Sequence, residues 1–273
     1  MRSILIHELK RVALEDQRME ICERKGLGHP DSICDAMMND ISVALSKEYL
    51  KKFGRVMHHN IDKGLLVAGE VKVRFGGGEI GKPMLLVFGD RATFAVGNDA
   101  VPVEEITLKT AKEWLKRNLR FVDPEKHMRY QVEIKRGAEA LTDIFERRGK
   151  FLGANDTSAA VGFAPLTKTE RIVLETEKFL NGERFKKKFP ESGEDIKVMG
   201  LRKDHELHLT IAMAFVDRFV ESEQAYFKKK KEILNGIESF VNSKVDVDKV
   251  HIYLNTADKK GRGIGGVYLT VLG

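Results

Sequence analysis

The sequence contains two cysteines, six prolines and one tryptophan among 273 residues. Cys22 and Cys34 have no second pair with which to build a cysteine-ligated metal site, so we expect reduced, packed thiols. Residues 1–10 lack the pattern of a signal peptide, and no apolar run reaches the length of a transmembrane helix. These absences argue against secreted and membrane-embedded classes and predict a soluble cytoplasmic protein with no membrane partner.

A strong excess of one charge sign is also lacking. The 47 basic and 41 acidic residues are largely interspersed, and the formal net charge is +6. Such an excess suits a small anionic ligand as readily as nucleic acid. Because the sequence has no clustered aromatic platform and no recognition motif for nucleic acid, we expect no nucleic-acid partner.

One stretch, residues 23–32, combines glycine, proline and charged residues in the order ERKGLGHPDS. Gly26 and Gly28 allow the backbone to approach a ligand closely, and Pro30 favours the start of a helix. Three side chains at this helix start offer a cation, an imidazole and a hard metal ligand: Lys25, His29 and Asp31. Because helix N-termini attract anions, the stretch predicts a site for a polyphosphate held with Mg²⁺.

The first half of the chain predicts a compact unit of strands and helices. Apolar residues recur every four positions from Ile33 to Tyr49, which indicates an amphipathic helix that ends at Gly54. A second helix is expected at 103–120, and strands are expected at 3–9, 18–24, 65–73, 84–88 and 128–135. The triple glycine at 76–78 predicts a hairpin connection, with a phosphate cradle as the alternative.

The second half of the chain repeats this pattern of predicted strands and helices. Helices are expected at 167–180 and 217–242, and strands at 195–201, 205–216, 249–255 and 265–273. The whole pattern predicts an α+β protein of pseudo-repeated mixed β-sheet domains with helices on one face. We expect a first domain at 18–150, a second at 151–273 with residues 1–17 packed against it, and the start of a third domain at the C-terminus.

Motifs along nearly the whole chain resemble those of the S-adenosylmethionine synthetases (methionine adenosyltransferases), specifically the archaeal type. In chain order they are ERKGLGHPDSICD at 23–35, HHN at 58–60 with Asp62, FGGGEI at 75–80, GANDTS at 153–158, GFAPLTKTERIVLETE at 162–177, GEDIKVMGLR at 193–202 and NTAD at 255–258. Their length and order make this resemblance far more specific than a single glycine motif.

The resemblance implies intertwined sheet domains related by pseudo-threefold symmetry, and a homodimer whose active sites form between two subunits. It also implies the reaction. The thioether sulfur of methionine attacks C5′ of ATP, and the triphosphate that leaves is hydrolysed to pyrophosphate and phosphate. The implied substrates are ATP and methionine; the implied ions are Mg²⁺ and, as a further candidate, K⁺.

By motif position, the resemblance implies two catalytic residues, His29 and Lys197. His29 would donate a hydrogen bond to the oxygen that leaves C5′ and to the triphosphate, and Lys197 would contact phosphate oxygens. Asp31 would ligate Mg²⁺. Because sulfur needs no deprotonation, this chemistry depends on positioning and on stabilising the anionic leaving group, and cations should dominate the site.

The resemblance also implies four carboxylates that bind substrate. Asp156 would receive the methionine ammonium group, Asp195 would lie near the nucleoside, and Glu70 would lie near the methionine end. Glu23 is a further binding residue.

Each of these residues has a plainer alternative. His29 and Asp31 have the side chains of ordinary helix caps, and Lys197 and Asp195 would be surface charges without the resemblance. His58 and His59 are adjacent on an expected strand, so their side chains should point to opposite faces and not chelate one ion.

The chain ends where the resembled family continues with further basic residues that hold the triphosphate. We therefore expect the 273-residue chain by itself to form little S-adenosylmethionine. The alternative function is that of a truncated, non-catalytic nucleotide-binding or assembly subunit of the same family.

Overall fold

The computed structural model describes residues 4–8, 10–138, 143–145, 159–162, 164–244 and 249–273. Its strands, in chain order, are β1 (Met19–Lys25), β2 (His59–Val67), β3 (Glu70–Lys72), β4 (Glu79–Lys82), β5 (Met84–Ala92), β6 (Ala95–Val96), β7 (Asp99–Ala100), β8 (Met128–Arg136), β9 (Ser192–Lys203), β10 (Glu206–Val216), β11 (Lys249–Leu254) and β12 (Leu269–Thr270). Its α-helices of six or more residues are α1 (Pro30–Phe53), α2 (Val103–Asn118), α3 (Lys168–Leu180), α4 (Glu183–Lys188) and α5 (Glu223–Asn242).

Helix α1 follows from its sequence pattern. The predicted apolar stripe is buried along its whole length: Ile33, Met37, Ile41, Leu45 and Tyr49. The helix begins at Pro30 with His29 as its N-cap, and it ends at Gly54, whose φ of 69° suits glycine. The predicted helix is therefore confirmed at both ends.

The first unit is a three-stranded sheet covered by α1 and α2. The strand order is β2–β5–β8; β2 is antiparallel to β5, and β5 is parallel to β8. Both helices and all three strands supply side chains to one hydrophobic core, which includes Leu86, Phe88 and Trp114. The hydroxyl of Tyr49 donates to the backbone oxygen of Thr93 at 2.9 Å and fastens the end of α1 to this sheet.

The second unit is a larger sheet in the order β1–β9–β10–β11, and β12 also pairs with β10. Helices α3 and α5 cover one face and form a separate core around Phe215, Tyr226 and Ile237. Helix α3 starts with a capping box in which Thr167 and Glu170 exchange hydrogen bonds. The two units confirm the α+β class, since each is a mixed sheet with helices on one face.

Strand β1 lies in the second unit, although the predicted first domain starts at residue 18. It pairs antiparallel with β9 from Met19 to Lys25, and the chain then crosses to the first unit through the glycine turn. Residues ahead of β1 contact the same unit, since Arg202 donates to the backbone oxygens of Leu14 and Gln17. The division into domains at 18–150 and 151–273 remains a prediction. It assigns β1 to the first domain, although β1 is a strand of the second sheet.

Two predicted strands differ from the structure. Residues 4–8 form no strand and are exposed, and at the C-terminus only Leu269–Thr270 is a strand, after a 3-10 turn at Gly263–Gly266. Both stretches are apolar, but an apolar run forms a strand only where a partner strand is free to receive it, and β10 offers β12 only a short edge beyond β11.

The triple glycine at 76–78 connects β3 to β4, which confirms the predicted hairpin. It also joins the two units. Gly76 N donates to the backbone oxygen of Val220 at 2.8 Å, and Gly78 N donates to the buried carboxylate of Asp217 at 2.8 Å. A Cβ atom at Gly78 would lie 2.1 Å from the backbone oxygen of Lys72, so this position requires glycine.

No helix in the described part of the chain has both the length and the apolar character needed to cross a lipid bilayer.

Candidate functional site

The glycine turn after β1 packs directly against the start of β9. Gly26 N donates to the backbone oxygen of Ile196 at 2.7 Å, and Gly28 N donates to that of Glu194 at 3.1 Å. A Cβ atom at Gly28 would lie 2.4 Å from the carbonyl carbon of Glu194. The glycines therefore permit close approach to β9, and this contact fixes the start of α1 beside the second sheet.

Alternation along the strands gives the second sheet two different faces. Glu20 on β1 accepts hydrogen bonds from Thr167 and Thr169 at the start of α3, so the even-numbered residues of β1 face the helices. The other face is not covered by α3 or α5. We call it the open face, and its residues include Met19, Ile21, Glu23, Lys25, Lys197, Met199, Leu201, Glu206, His208, His251 and Tyr253.

Two lysines and one carboxylate meet on the open face beside the glycine turn. Lys25 and Lys197 are directly opposite in the β1–β9 pair. Lys197 Nζ lies 2.8 Å from Glu23 Oε2, and Lys25 forms an ion pair with Asp31 in the first turn of α1. Cations and carboxylates thus alternate across a short stretch of the surface. The lysines can exchange their ion pairs for contacts with an anion, and the carboxylates can exchange theirs for contacts with its counter-ion.

The hydrogen bonds of His29 define its tautomer. Its Nδ1 accepts from Asp31 N at 3.2 Å, as an N-cap side chain does. In the neutral ring the proton therefore sits on Nε2, which leaves an N–H donor for a ligand. Capping and ligand binding use different ring nitrogens, so one residue can do both.

Asp31 is an exposed, ionised carboxylate. Its hydrogen bond and ion pair with Lys25 lower its pKa, and the charges of His29 and Lys197 add to the effect. Among the described residues, Asp31 has no pair of further carboxylates or imidazoles close enough to complete a three-residue cation group. A single carboxylate nevertheless fits Mg²⁺, since this ion commonly takes one or two protein oxygens together with phosphate oxygens and water.

Asp195 lies two residues before Lys197 on the same face of β9, in a more buried environment. Burial raises the pKa of its carboxyl group, whereas the charge of His29 and a hydrogen bond from the Tyr268 hydroxyl at 3.5 Å oppose the rise. Tyr268 was not predicted from the sequence. Only the long connection from β11 to β12 brings it to Asp195, and a lone tyrosine carries no local signal.

A cleft of about 330 Å³ opens between the two units beside Gly28 and Asp195. Most of its lining is apolar: Pro30, Ile33, Leu66, Ala68, Val71, Ile80, Met84, Leu119, Val122, Val271 and Leu272. Lys82, His127 and Asp195 add polar atoms. An apolar cavity with a few polar groups at its rim is typical of sites that bind a small organic ligand.

The structure gathers most of the predicted site residues at one place. His29 and Asp31 at the start of α1 adjoin Glu23 and Lys197 on the open face and Asp195 in the cleft. Glu70 is not in this group. Its side chain pairs with Lys82 of the cleft lining, whose Nζ lies 3.3 Å from Glu70 Oε1.

Asp156, the remaining predicted site residue, lies outside the described residues.

Two other motifs from the sequence have structural contacts. His59 Nδ1 contacts the Met57 backbone oxygen at 2.9 Å, and its Nε2 contacts the hydroxyls of Ser42 and Ser46 on α1. In the 255–258 motif, the Asn255 side chain bonds to both the N and the O of Met213 and ties the end of β11 to β10. These contacts give residues of the HHN and NTAD motifs a structural role in the fold.

The fold and the site together define a class: an α+β protein with lysine, histidine and carboxylate side chains gathered at a glycine turn between a helix start and a sheet, beside an apolar cleft. The particular family follows from comparison with known proteins. The family model of S-adenosylmethionine synthetase (AdoMet synthetase) matches residues 2–273, and the chain belongs to this family. Its members are methionine adenosyltransferases, which confirms the resemblance and the enzyme class.

Curated relatives support the same assignment. The chain is 44% identical to the S-adenosylmethionine synthase of Pyrococcus furiosus, over 100% of this chain and 68% of the relative. It is 46% identical to that of Pyrococcus abyssi over the same shares, and 44% identical to that of Saccharolobus solfataricus over 95% of this chain and 65% of the relative. The chain thus spans about two thirds of the length of these relatives.

A solved structure agrees with the fold. It is described as an unusual S-adenosylmethionine synthetase from Campylobacter jejuni, and the alignment covers 88% of this chain and 58% of that chain with a TM-score of 0.53. At 14% identity, this similarity concerns the fold alone.

Proposed function

We propose that the glycine turn, the start of α1 and the open-face end of β9 hold the triphosphate of ATP while its adenosyl group passes to methionine. One observation carries the proposal. His29 and Asp31 precede Lys197 by more than 160 positions in the chain, yet the packing of Gly28 against Glu194 brings them together at one helix N-terminus.

The residues of this site suit the departure of a highly charged group. The Nε2–H of His29 donates to the oxygen that leaves C5′, and Lys197 and Lys25 attract the phosphate oxygens. Glu23 Oε2 lies 2.8 Å from Lys197 Nζ, and an anion at this site would exchange that ion pair for contacts with its own oxygens. No residue needs to act as a base, because the attacking sulfur carries no proton.

Asp31 is the residue proposed to hold Mg²⁺, in exchange for its ion pair with Lys25. When bound, Mg²⁺ neutralises part of the triphosphate charge. The freed Lys25 then adds a second ammonium group to the side of the site that already carries Lys197.

The apolar cleft is proposed to take the nucleoside. It opens beside Gly28, and its Asp195, which accepts a hydrogen bond from the Tyr268 hydroxyl, offers polar atoms for the ribose or base. Its volume of about 330 Å³ lies in the range of small-ligand sites. Glu70 and Asp156 are proposed for the methionine end, where a carboxylate would receive the ammonium group.

The proposed assembly is a homodimer with the active site at the subunit interface. Its support is the open face, where Met19 and Ile21 are 59% and 66% exposed next to Glu23 and Lys197. Exposed apolar side chains on an uncovered sheet favour burial against a partner. We also propose K⁺ as a further ion for the enzyme and the cytoplasm as its compartment.

The alternative function is a non-catalytic nucleotide-binding subunit. The family resemblance suggests this alternative, since it implies phosphate-binding residues in a part of the family that the chain, at 68% of the length of the Pyrococcus furiosus relative, does not cover. The alternative agrees with the main proposal on triphosphate binding and differs from it on turnover.

The test is product formation from ATP, methionine and Mg²⁺, measured as S-adenosylmethionine by mass spectrometry. We expect slow formation above the protein-free blank, accompanied by pyrophosphate and phosphate, and its loss in Lys197→Met. Binding of the nucleotide with no product at all would favour the non-catalytic alternative, and product formation unchanged in Lys197→Met would contradict the proposed site.

A further inference from the structure

We propose that a second cation site lies on the open face, formed by Glu206, His208 and His251, and that it takes a first-row transition metal such as Zn²⁺. Among the described residues, these three bring one ligand atom each within 4.8 Å of one another. The proposal concerns residues that have no part in the proposed adenosyl transfer, and its test does not depend on product formation.

Strand pairing creates the cluster. His208 on β10 and His251 on β11 are opposite residues in the parallel pair, and Glu206 is two positions before His208 on the same face. Their imidazole rings lie stacked with centroids 4.6 Å apart. Two neighbouring strands of a rigid sheet therefore present two imidazoles and one carboxylate from fixed backbone positions.

The ligand atoms are close to the spacing that a metal requires. Glu206 Oε2 lies 3.6 Å from His251 Nε2 and 3.9 Å from His208 Nε2. In a tetrahedral Zn²⁺ site with bonds of about 2.0–2.2 Å, neighbouring ligand atoms lie roughly 3.3 Å apart. Coordination of one ion would require the two stacked rings to turn toward each other, since the three ligand atoms now lie within 4.8 Å of one another.

The surroundings of the cluster favour a cation over an internal hydrogen-bond network. His251 Nε2 is buried and has no hydrogen-bond partner within the described structure, so a metal would satisfy it. Lys249 Nζ lies 3.3 Å from Glu206 Oε1, which leaves Oε2 for the imidazoles. The Tyr253 hydroxyl contacts His208 Nδ1 at 3.4 Å and can orient that ring for coordination through Nε2.

The donor set selects the class of ion. Two imidazoles with one carboxylate suit Zn²⁺, Co²⁺ or Ni²⁺, whereas Mg²⁺ prefers oxygen ligands. The site is also separate from Asp31. Lys197, near Asp31, is opposite Ala212, and His208 is four residues away on β10, about 14 Å at roughly 3.4 Å per residue.

The test uses the tag-free 273-residue chain, freed of metal with a chelator and held in excess Mg²⁺. Co²⁺ is added and followed by its visible absorption bands, and Zn²⁺ binding is followed by calorimetry. We expect one equivalent per chain. His208→Gln and His251→Gln should each weaken binding at least tenfold, and Tyr253→Phe should weaken it about tenfold through loss of ring orientation.

The matched control is His205→Gln, which removes an exposed histidine from the turn between β9 and β10. It should bind Co²⁺ and Zn²⁺ as the parent chain does, and circular dichroism should show the same fold for all variants. The proposal is overturned if the parent chain binds no Co²⁺ or Zn²⁺ under these conditions. It is equally overturned if the double variant His208→Gln/His251→Gln binds with unchanged affinity, since the ion would then occupy other ligands.

Discussion

His29 combines an observed structural role with a proposed chemical role, each on a different ring nitrogen. Nδ1 accepts from Asp31 N and caps α1, whereas the Nε2–H remains as the donor proposed for the leaving oxygen. Sequence analysis gave helix capping as the plainer alternative for this residue, and the family resemblance implied the leaving-group role. Neither could predict the tautomer, because that depends on which backbone amide lies within reach once the helix has formed.

The two roles can be separated by substitution. His29→Asn keeps an N-cap oxygen but removes the ring donor, whereas His29→Ala removes both. We expect S-adenosylmethionine formation to fall about 10²-fold in both variants, as for loss of a donor to a developing anion. Only His29→Ala should lose about 0.5–2 kcal/mol of unfolding free energy, measured by urea denaturation.

Near-parental product formation by His29→Asn would show that the ring donor is dispensable. The leaving-group role of His29 would then be wrong, whatever the stability of the variant.

Lys186 on α4 is a buried cation behind the site. Its Nζ donates to the backbone oxygens of Ser192 and Gly193, next to Asp195 on β9. Burial lowers its pKa from the usual 10.5 to about 7, although Glu194 acts in the opposite direction. A basic run in the sequence indicates only a solvated surface, so burial of one of its lysines depends on tertiary packing.

This pKa predicts the pH dependence of stability. Between about pH 7 and pH 10.5 the unfolded chain binds the Lys186 proton and the folded chain does not, so the free energy of unfolding should rise with pH. The contribution is at most about 1.4 kcal/mol per pH unit. Lys186→Met lacks this group, and the stability of the parent chain relative to that variant should therefore increase from pH 7 to pH 9. A difference that falls or stays constant would contradict the lowered pKa.

At the scale of elements, helices could be predicted from local sequence patterns, whereas the pairing of distant strands could not. Helix α1 could be predicted from its four-residue periodicity and its Pro30 and Gly54 ends, because each of these signals lies within the helix itself. The partner of β1 could not be predicted. Its register with β9 joins residues more than 170 positions apart, and many apolar strands in the chain offer comparable edges.

The glycine turn between β1 and α1 gives a prediction at this scale. A methyl group at Gly28 would lie 2.4 Å from Glu194 carbonyl carbon, so Gly28→Ala must move the start of α1 away from β9. We expect a loss of about 1–3 kcal/mol in unfolding free energy and weaker tripolyphosphate binding. The control is Gly265→Ala, since nothing lies within 4 Å of a Cβ atom there.

Urea denaturation and calorimetry measure the two effects. Equal stability and binding in Gly28→Ala and Gly265→Ala would contradict the close packing of the turn against β9.

At the scale of the whole molecule, the site joins two units with separate cores. His29 and Asp31 begin the helix that fills the first core, whereas Lys197 belongs to the second sheet. The local motif predicted the helix start and its charges, but only the family resemblance pointed to Lys197 and Asp195. Neither the motifs nor the resemblance pointed to Lys82, which lines the cleft, or to Tyr268, which contacts Asp195, because the sequence pattern does not define how these segments pack.

The open face predicts association of two chains. Ile21, on the edge strand β1, is 66% exposed on this face, and Ile21→Glu would place a charge in the proposed interface. We expect sedimentation equilibrium to show a dimer for the parent chain and a monomer, or a dimer at least tenfold weaker, for Ile21→Glu. The control is Val43→Glu on the outer surface of α1, where the side chain is 43% exposed. A parent chain that is monomeric at all concentrations would contradict this interface.

The central claim is that the start of α1 and strand β9 form one triphosphate site, and its most direct test is calorimetric titration of tripolyphosphate into the chain with Mg²⁺. Lys197→Met should weaken binding at least tenfold, because a charged hydrogen bond contributes about 1.5–3 kcal/mol. Lys203→Met, an exposed position at the far end of the same strand, should bind like the parent chain. Equal affinity of Lys197→Met and the parent chain, or an equal loss in both variants, would contradict the account.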